Sequence, residues 1–95
     1  MMLKIAIIGT GGIAKAHAEG YLQFPELCEI TALCDIYPDK ANKFAEKYSL
    51  KAKIYDSYKD LFKEKSIDAV SLCLPPYVHT EISVAALNAG IHVLC

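Results

Sequence analysis

Residues 3–14 read Leu3-Lys4-Ile5-Ala6-Ile7-Ile8-Gly9-Thr10-Gly11-Gly12-Ile13-Ala14. An isoleucine-rich run passes without interruption into a glycine cluster, and helix-spaced residues follow. Continuous apolarity over Leu3 to Ile8 fits a strand covered on both faces, as in a parallel sheet flanked by helices. Gly9 to Gly12 breaks that strand. From Ile13 to Phe24 the pattern is helical, and Pro25 is read as its end.

The same alternation continues outward. Glu29 to Cys34 reads as a second strand. Pro38 sits where a helix tolerates proline in its first turn, and Ala41, Phe44, Ala45 and Tyr48 then recur at helix spacing. Lys53 to Tyr55 is a short third strand. Ser57 with Asp60 resembles a capping box, opening a helix whose inward face is Tyr58, Leu61 and Phe62. Asp68 to Leu74 is a fourth strand, ended by Pro75-Pro76 because neither proline can donate to a ladder. Val78, Ile82, Ala85 and Ala89 line the next helix, with Gly90 as its C-cap, and Ile91 to Leu94 opens a fifth strand. Strands alternating with helices imply an α/β sheet of parallel strands with right-handed crossovers.

Ninety-five residues allow one small domain, yet 54% are apolar and mean hydropathy is +0.25. Such runs exceed what a small free-standing domain can cover. The chain is therefore expected to be part of something larger, the more so because no helix follows the fifth strand. Net charge is −1 and the pI about 6.3, with no basic stripe, so a nucleic-acid partner is not expected. Lys40, Lys43 and Lys47 lie among Asp39 and Glu46 and read as a solvated helix face. Cys28, Cys34, Cys73 and Cys95 form no C-x-x-C pair. Reduced, buried thiols of a cytoplasmic protein are the expectation, without a metal. No basic leader or long apolar run suggests a membrane partner.

The glycine cluster also carries chemistry. Gly9-Thr10-Gly11-Gly12-Ile13-Ala14 lies between a strand and a helix, the context a G-x-G-x-x-G/A dinucleotide fingerprint requires. Gly9 allows the tight turn, Gly11 lets backbone approach a pyrophosphate, Gly12 adds another bare position, and Ala14 keeps the helix close to the sheet. The helix then points its free N–H groups at the phosphates. The second strand leads into Asp35, 24 positions beyond Gly11, near the spacing at which a carboxylate accepts the adenosine ribose hydroxyls. A 2′-phosphate beside it would meet repulsion of about 1 kcal/mol in water and about 4 kcal/mol at intermediate dielectric, for charges about 4 Å apart. No arginine follows to receive that phosphate, and Lys40 is the nearby candidate. NAD is therefore expected over NADP. Asp35 could equally cap a turn before Pro38, and both roles can coexist.

With these residues placed, the chain resembles the N-terminal domain of the Gfo/Idh/MocA oxidoreductases. The resemblance rests on residues 9–14, on Ala32-Leu33-Cys34-Asp35-Ile36, on Ile67-Asp68-Ala69-Val70, on Pro75-Pro76-Tyr77-Val78-His79 and on the stretch from Ala86 to Cys95. It implies a Rossmann doubly wound parallel sheet, order 3-2-1-4-5. It implies that Gly9, Thr10, Gly11, Gly12 and Ile13 hold the pyrophosphate and Asp35 the adenosine ribose. Leu74, Pro75 and Pro76 would pass beside the nicotinamide ribose. His79 matches a family histidine that contacts the cofactor or orients the loop; a histidine that packs and bonds nearby backbone is the alternative. His17 and His92 read as structural. The resemblance further implies hydride transfer between the nicotinamide and a secondary alcohol of a sugar or cyclitol, and a homo-oligomer at full length. The family's Glu-Lys-Pro motif, whose lysine belongs to the active site, would follow Cys95. That motif and the substrate-binding second domain are absent from these residues, so no catalytic residue is assigned. Ser49 stands where relatives often carry glycine, at a backbone cost if left-handed. A non-catalytic dinucleotide sensor and an S-adenosylmethionine-dependent methyltransferase are the alternatives.

On this reading the isolated 95-residue chain leaves a strand edge and an apolar face open. It should self-associate and produce no NADH from substrate; sedimentation velocity checks the first, and a monodisperse monomer at micromolar concentration would contradict it.

Overall fold

A computed structural model of the chain describes residues 2–64 and 66–94, with Pro76 described by its backbone alone. The thiol of Cys95 lies outside the described residues. The Leu3–Ile8 run forms β1, whose last four residues are buried. It pairs in parallel with β2 (Cys28–Cys34) on one edge and β4 (Ala69–Leu72) on the other. β3 (Lys53–Tyr55) extends the sheet beyond β2 and β5 (His92–Leu94) beyond β4. The order β3-β2-β1-β4-β5 is the doubly wound arrangement the resemblance implied.

Side chains alternate between the two sheet faces. Ile7, Ile30 and Leu33 pack with Ala14 and Ala18 of α1 (Gly12–Leu22) and Ala41 and Phe44 of α2 (Pro38–Lys47). Ala6, Ile8, Val70 and Leu72 pack with Leu61 of α3 (Tyr58–Leu61) and Ile82 and Ala86 of α4 (His79–Asn88). Ala14 and Ala18 are fully buried, so two methyl-sized side chains set how closely α1 approaches the sheet.

The structure departs from the sequence reading in several details. α1 ends at Leu22 rather than Phe24. The residue before Pro25 is pushed out of helical geometry, and the chain tightens through Gln23 N–H to Gly20 O and Phe24 N–H to Tyr21 O bonds. β4 spans four residues, although Asp68 and Cys73 still donate to Lys4 and Ile8 of β1. Ser57 caps α3 by accepting from Lys59 N–H at 3.2 Å, but Asp60 gives no reciprocal bond among the described residues and lies 3.6 Å from Lys63 instead. On α4 the buried positions are Ile82 and Ala86; Ala85 is half-buried and Ala89 exposed. Gly90, at φ +78°, closes this helix with bonds from its own N–H to Leu87 O and from Ile91 N–H to Ala86 O. That Schellman turn brings Ile91 into the core place expected for Ala89.

α2 ends the same way: Ser49 N–H bonds Glu46 O and Leu50 N–H bonds Ala45 O. Here the left-handed residue is Ser49, at φ +54°. Its β-carbon carries the steric cost that glycine escapes. Ser49→Gly should therefore stabilise the fold by about 0.5–1 kcal/mol, measured as a raised midpoint of chemical unfolding.

Candidate dinucleotide site

The carboxyl ends of β1, β2 and β4 meet at the glycine turn, and geometry separates its glycines. Gly9 lies at φ +91°, and a β-carbon there would stand 2.6 Å from Cys73 O and 2.7 Å from Leu74 Cδ2. Backbone conformation and lack of space both demand glycine. Gly11 and Gly12 differ, because a β-carbon on either meets nothing within 4 Å. Gly11 is also extended, at φ −84° and ψ −159°, which any residue adopts. The fold does not need these two glycines; the open space above them suits a ligand lying against bare backbone. Gly11 is the N-cap of α1 and offers no capping side chain, so the positive end of the helix is open to an external acceptor. Ala14 is buried against β1 as its role in helix packing requires.

Asp35 is 8% exposed and held by three hydrogen bonds from its own chain. Its Oδ2 accepts from Thr10 N–H at 3.0 Å and from Thr10 Oγ at 2.7 Å. Its Oδ1 accepts from Tyr37 N–H at 2.9 Å, an Asx turn leading to Pro38. Burial alone would push this carboxyl up; the bonds from Tyr37 and Thr10, with the charge of Lys40, outweigh it and hold the group below the ordinary 3.8. The cap expected as the alternative is therefore present.

A cavity of about 500 Å³ opens at this edge, lined by Gly9, Asp35, Leu74 and Pro75 among others. It lies beside the point where the strand order reverses, between β1 and its neighbours β2 and β4, the usual ligand position in such sheets. Its carboxylates are Asp35, Asp56 and Glu81, and Tyr58 Oη donates to Glu81 at 3.0 Å. On the other side of the turn, Thr10, Gly11 and Gly12 share a depression of about 440 Å³ with Lys15, Lys40, Lys43 and Lys47. The turn thus separates a basic groove from an acidic cavity. The lysines of α2 are exposed, as read from sequence, but they gather on one side and Lys15 of α1 joins them. Their spacing (40, 43, 47) already placed three on one helix face; Lys15 was not legible as a fourth.

His79 does not line the cavity. Its Nε2 lies 2.6 Å from Leu74 O, so the ring bridges the start of α4 to the loop after β4. That is the backbone-bonding alternative, and it fixes Leu74 at the cavity wall. The backbone of Pro76 begins the 3₁₀ turn Pro76–Val78. His17 is half-buried on α1 and His92 exposed on β5, neither lining the cavity or the basic groove. Among the described residues no group of three His, Cys, Asp or Glu could hold a metal. Burial pushes the Cys34 thiol up to about 12, helped by Asp35 and Asp56, and the Cys73 thiol up to about 11. Both are protonated and unreactive near neutrality. Among the described residues no helix is long and apolar enough to cross a membrane.

Against known proteins, residues 3–95 match the profile of the GFO_IDH_MocA family, described as "Oxidoreductase family, NAD-binding Rossmann fold". The chain belongs to the Gfo/Idh/MocA oxidoreductases. Inositol 2-dehydrogenase of Salmonella typhimurium (strain LT2) is 35% identical over 95 residues, covering 100% of this chain and 28% of that protein. D-glucoside 3-dehydrogenase of Escherichia coli (strain K12) is 39% identical over 94 residues, covering 98% and 26%. Among solved structures, KijD10, a 3-ketoreductase from Actinomadura kijaniata in complex with NADP, superposes with a TM-score of 0.86 at 32% identity, covering 99% and 28%. The chain thus spans about a quarter of these relatives' length. Membership of a Gfo/Idh/MocA oxidoreductase family removes the ground for an S-adenosylmethionine-binding methyltransferase.

The glycines give a paired prediction. Gly9→Ala should destabilise the fold by about 2–5 kcal/mol, from the forbidden φ and the overlap with Cys73. Gly11→Ala should leave thermal unfolding nearly unchanged yet abolish dinucleotide binding; an equally large loss of stability in both would contradict the distinction.

Proposed function

We propose that this chain is the NAD-binding part of an oxidoreductase that moves a hydride between the cofactor and a secondary alcohol of a sugar- or cyclitol-like substrate. One observation carries the cofactor reading: a buried Asp35 tied by Thr10 to the glycine turn at the rim of the cavity. The residues fit the group. Gly11, Gly12 and Ile13 would receive the pyrophosphate on open backbone and a helix N-terminus, while Gly9 and Thr10, whose N–H groups are bonded to Cys34 O and Asp35, would shape the turn beneath it. Asp35 would accept a ribose hydroxyl, and Leu74 with Pro75 and the Pro76 backbone would flank the nicotinamide end, with His79 holding Leu74 in place. When bound, the cofactor supplies the hydride chemistry; the chain orients it and covers its adenosine with apolar walls.

The negative lining of the cavity supports NAD rather than NADP, since a 2′-phosphate would approach Asp35. The names of the inositol and glucoside dehydrogenases support the substrate class. The groups that grip substrate and exchange its proton are not among these residues, so we assign this chain no catalytic side chain. Free thiols at Cys28, Cys34 and Cys73 support a reducing, cytoplasmic setting.

Titration of cofactor fluorescence tests this in the natural-length protein. NADH should bind at least roughly tenfold more tightly than NADPH, the scale of one like-charge approach at the cavity rim. Asp35→Asn should weaken NADH and narrow that gap. Because the folded Asp35 carboxyl is held below 3.8, its contribution is present above that value and lost as pH falls through the lower, folded one. Wild-type NADH affinity should then owe no pH dependence to Asp35 between about pH 5 and 8. Equal affinity for NADPH would end the NAD preference, and binding of neither would end the dinucleotide reading.

A further inference from the structure

The carboxylate of Asp35 offers about four acceptor positions, two on each oxygen. Three are already taken within the chain: two on Oδ2 by Thr10 and one on Oδ1 by Tyr37 N–H. We propose that Thr10 positions the ribose-binding carboxylate, closing Oδ2 so that a ribose meets Oδ1 alone, through a single hydroxyl. The inference rests on the NAD reading above and deepens it.

Thr10 is suited to this work by its place in the turn. It is 8% exposed and follows Gly9, whose sharp turn sends the next N–H and side chain toward β2. Donation from both the N–H and the hydroxyl to one oxygen fixes the carboxylate's rotation about its terminal bond. The Asx bond from Tyr37 fixes the other oxygen from the opposite side of the chain. A rigid acceptor loses little freedom when ligand arrives, so each contact it makes counts more fully toward affinity. Thr10's two donors are also spent. A 2′-phosphate needs donors, and the pair beside Asp35 is engaged with the carboxylate that repels it. Selectivity for the unphosphorylated ribose would then come from the Thr10–Asp35 pair as a unit rather than from the charge of Asp35 alone.

The test uses the natural-length protein, with NADH and NADPH affinities read by cofactor fluorescence at several pH values and folding followed by thermal unfolding. Thr10→Val should keep the fold, weaken NADH by up to roughly tenfold because the carboxylate regains rotational freedom that binding must then remove, and make affinity start to fall at a higher pH than in the wild type, since one bond that favours the ionised carboxyl is gone. Thr10→Ser, which restores the hydroxyl, should recover both affinity and the flat pH profile. A second measurement needs no variant: NADH analogues lacking either the 2′- or the 3′-hydroxyl of the adenosine ribose. The single-acceptor geometry predicts a large loss with one analogue and near-normal binding with the other. Wild-type affinity and pH profile in Thr10→Val, or equal losses with the two analogues, would overturn the proposal while the NAD reading stands. A wild-type protein that binds no dinucleotide would remove both.

Discussion

Gly9 is where the backbone of β1 passes so close to Cys73 and Leu74 that no side chain fits between them. The loop after β4 is bonded into place by Cys73 N–H on Ile8 O, next to that contact. On the other side, Gly9 N–H bonds Cys34 O, so the same residue is joined to the end of β2. One glycine thereby brings three strand ends to a common edge. The helix start, the Asp35 carboxylate and the cavity wall all take their positions from that convergence.

Charge is then distributed around this fixed point. Lysines of α1 and α2 collect outside the glycine turn, and carboxylates of three separate segments line the cavity. A dinucleotide has the complementary character: anionic in the middle, rich in hydroxyl and amino donors at the adenosine end. The burial of Asp35 would by itself favour its neutral form, yet its hydrogen bonds reverse that preference. The group is thus kept as an acceptor by neighbours that leave little of it open.

Much of this was legible in sequence, for reasons that differ residue by residue. β1 matched its predicted limits because an apolar run ending in a glycine cluster leaves little freedom, and the short β3 matched its limits as well. The role of Ala14 followed from spacing alone. The inward face of α4 was misplaced toward its carboxyl end, where Ala86 and Ile91 are buried rather than Ala85 and Ala89, since the Schellman turn at Gly90 decides which residue returns to the core. The cap that Asp35 provides before Pro38 was readable, but not its bond to Thr10, because a partner 25 residues away leaves no local pattern. Lys15 joins the groove only through the packing of α1 against α2's neighbouring strand, which spacing along one helix cannot reveal.

The register of β1 has a consequence for how the chain comes together. On one edge Leu3 pairs with Cys28, while on the other Ile5 pairs with Ala69. During synthesis the first edge can zip as soon as β2 has emerged, but the second must wait until β4 leaves the ribosome. Until then the central strand of the finished sheet is an unprotected border, rich in isoleucine and competent to pair with a stranger. Closing it requires a far longer loop, the slow kind of contact in folding. The nascent chain is therefore most exposed to aggregation in the interval between those two pairings.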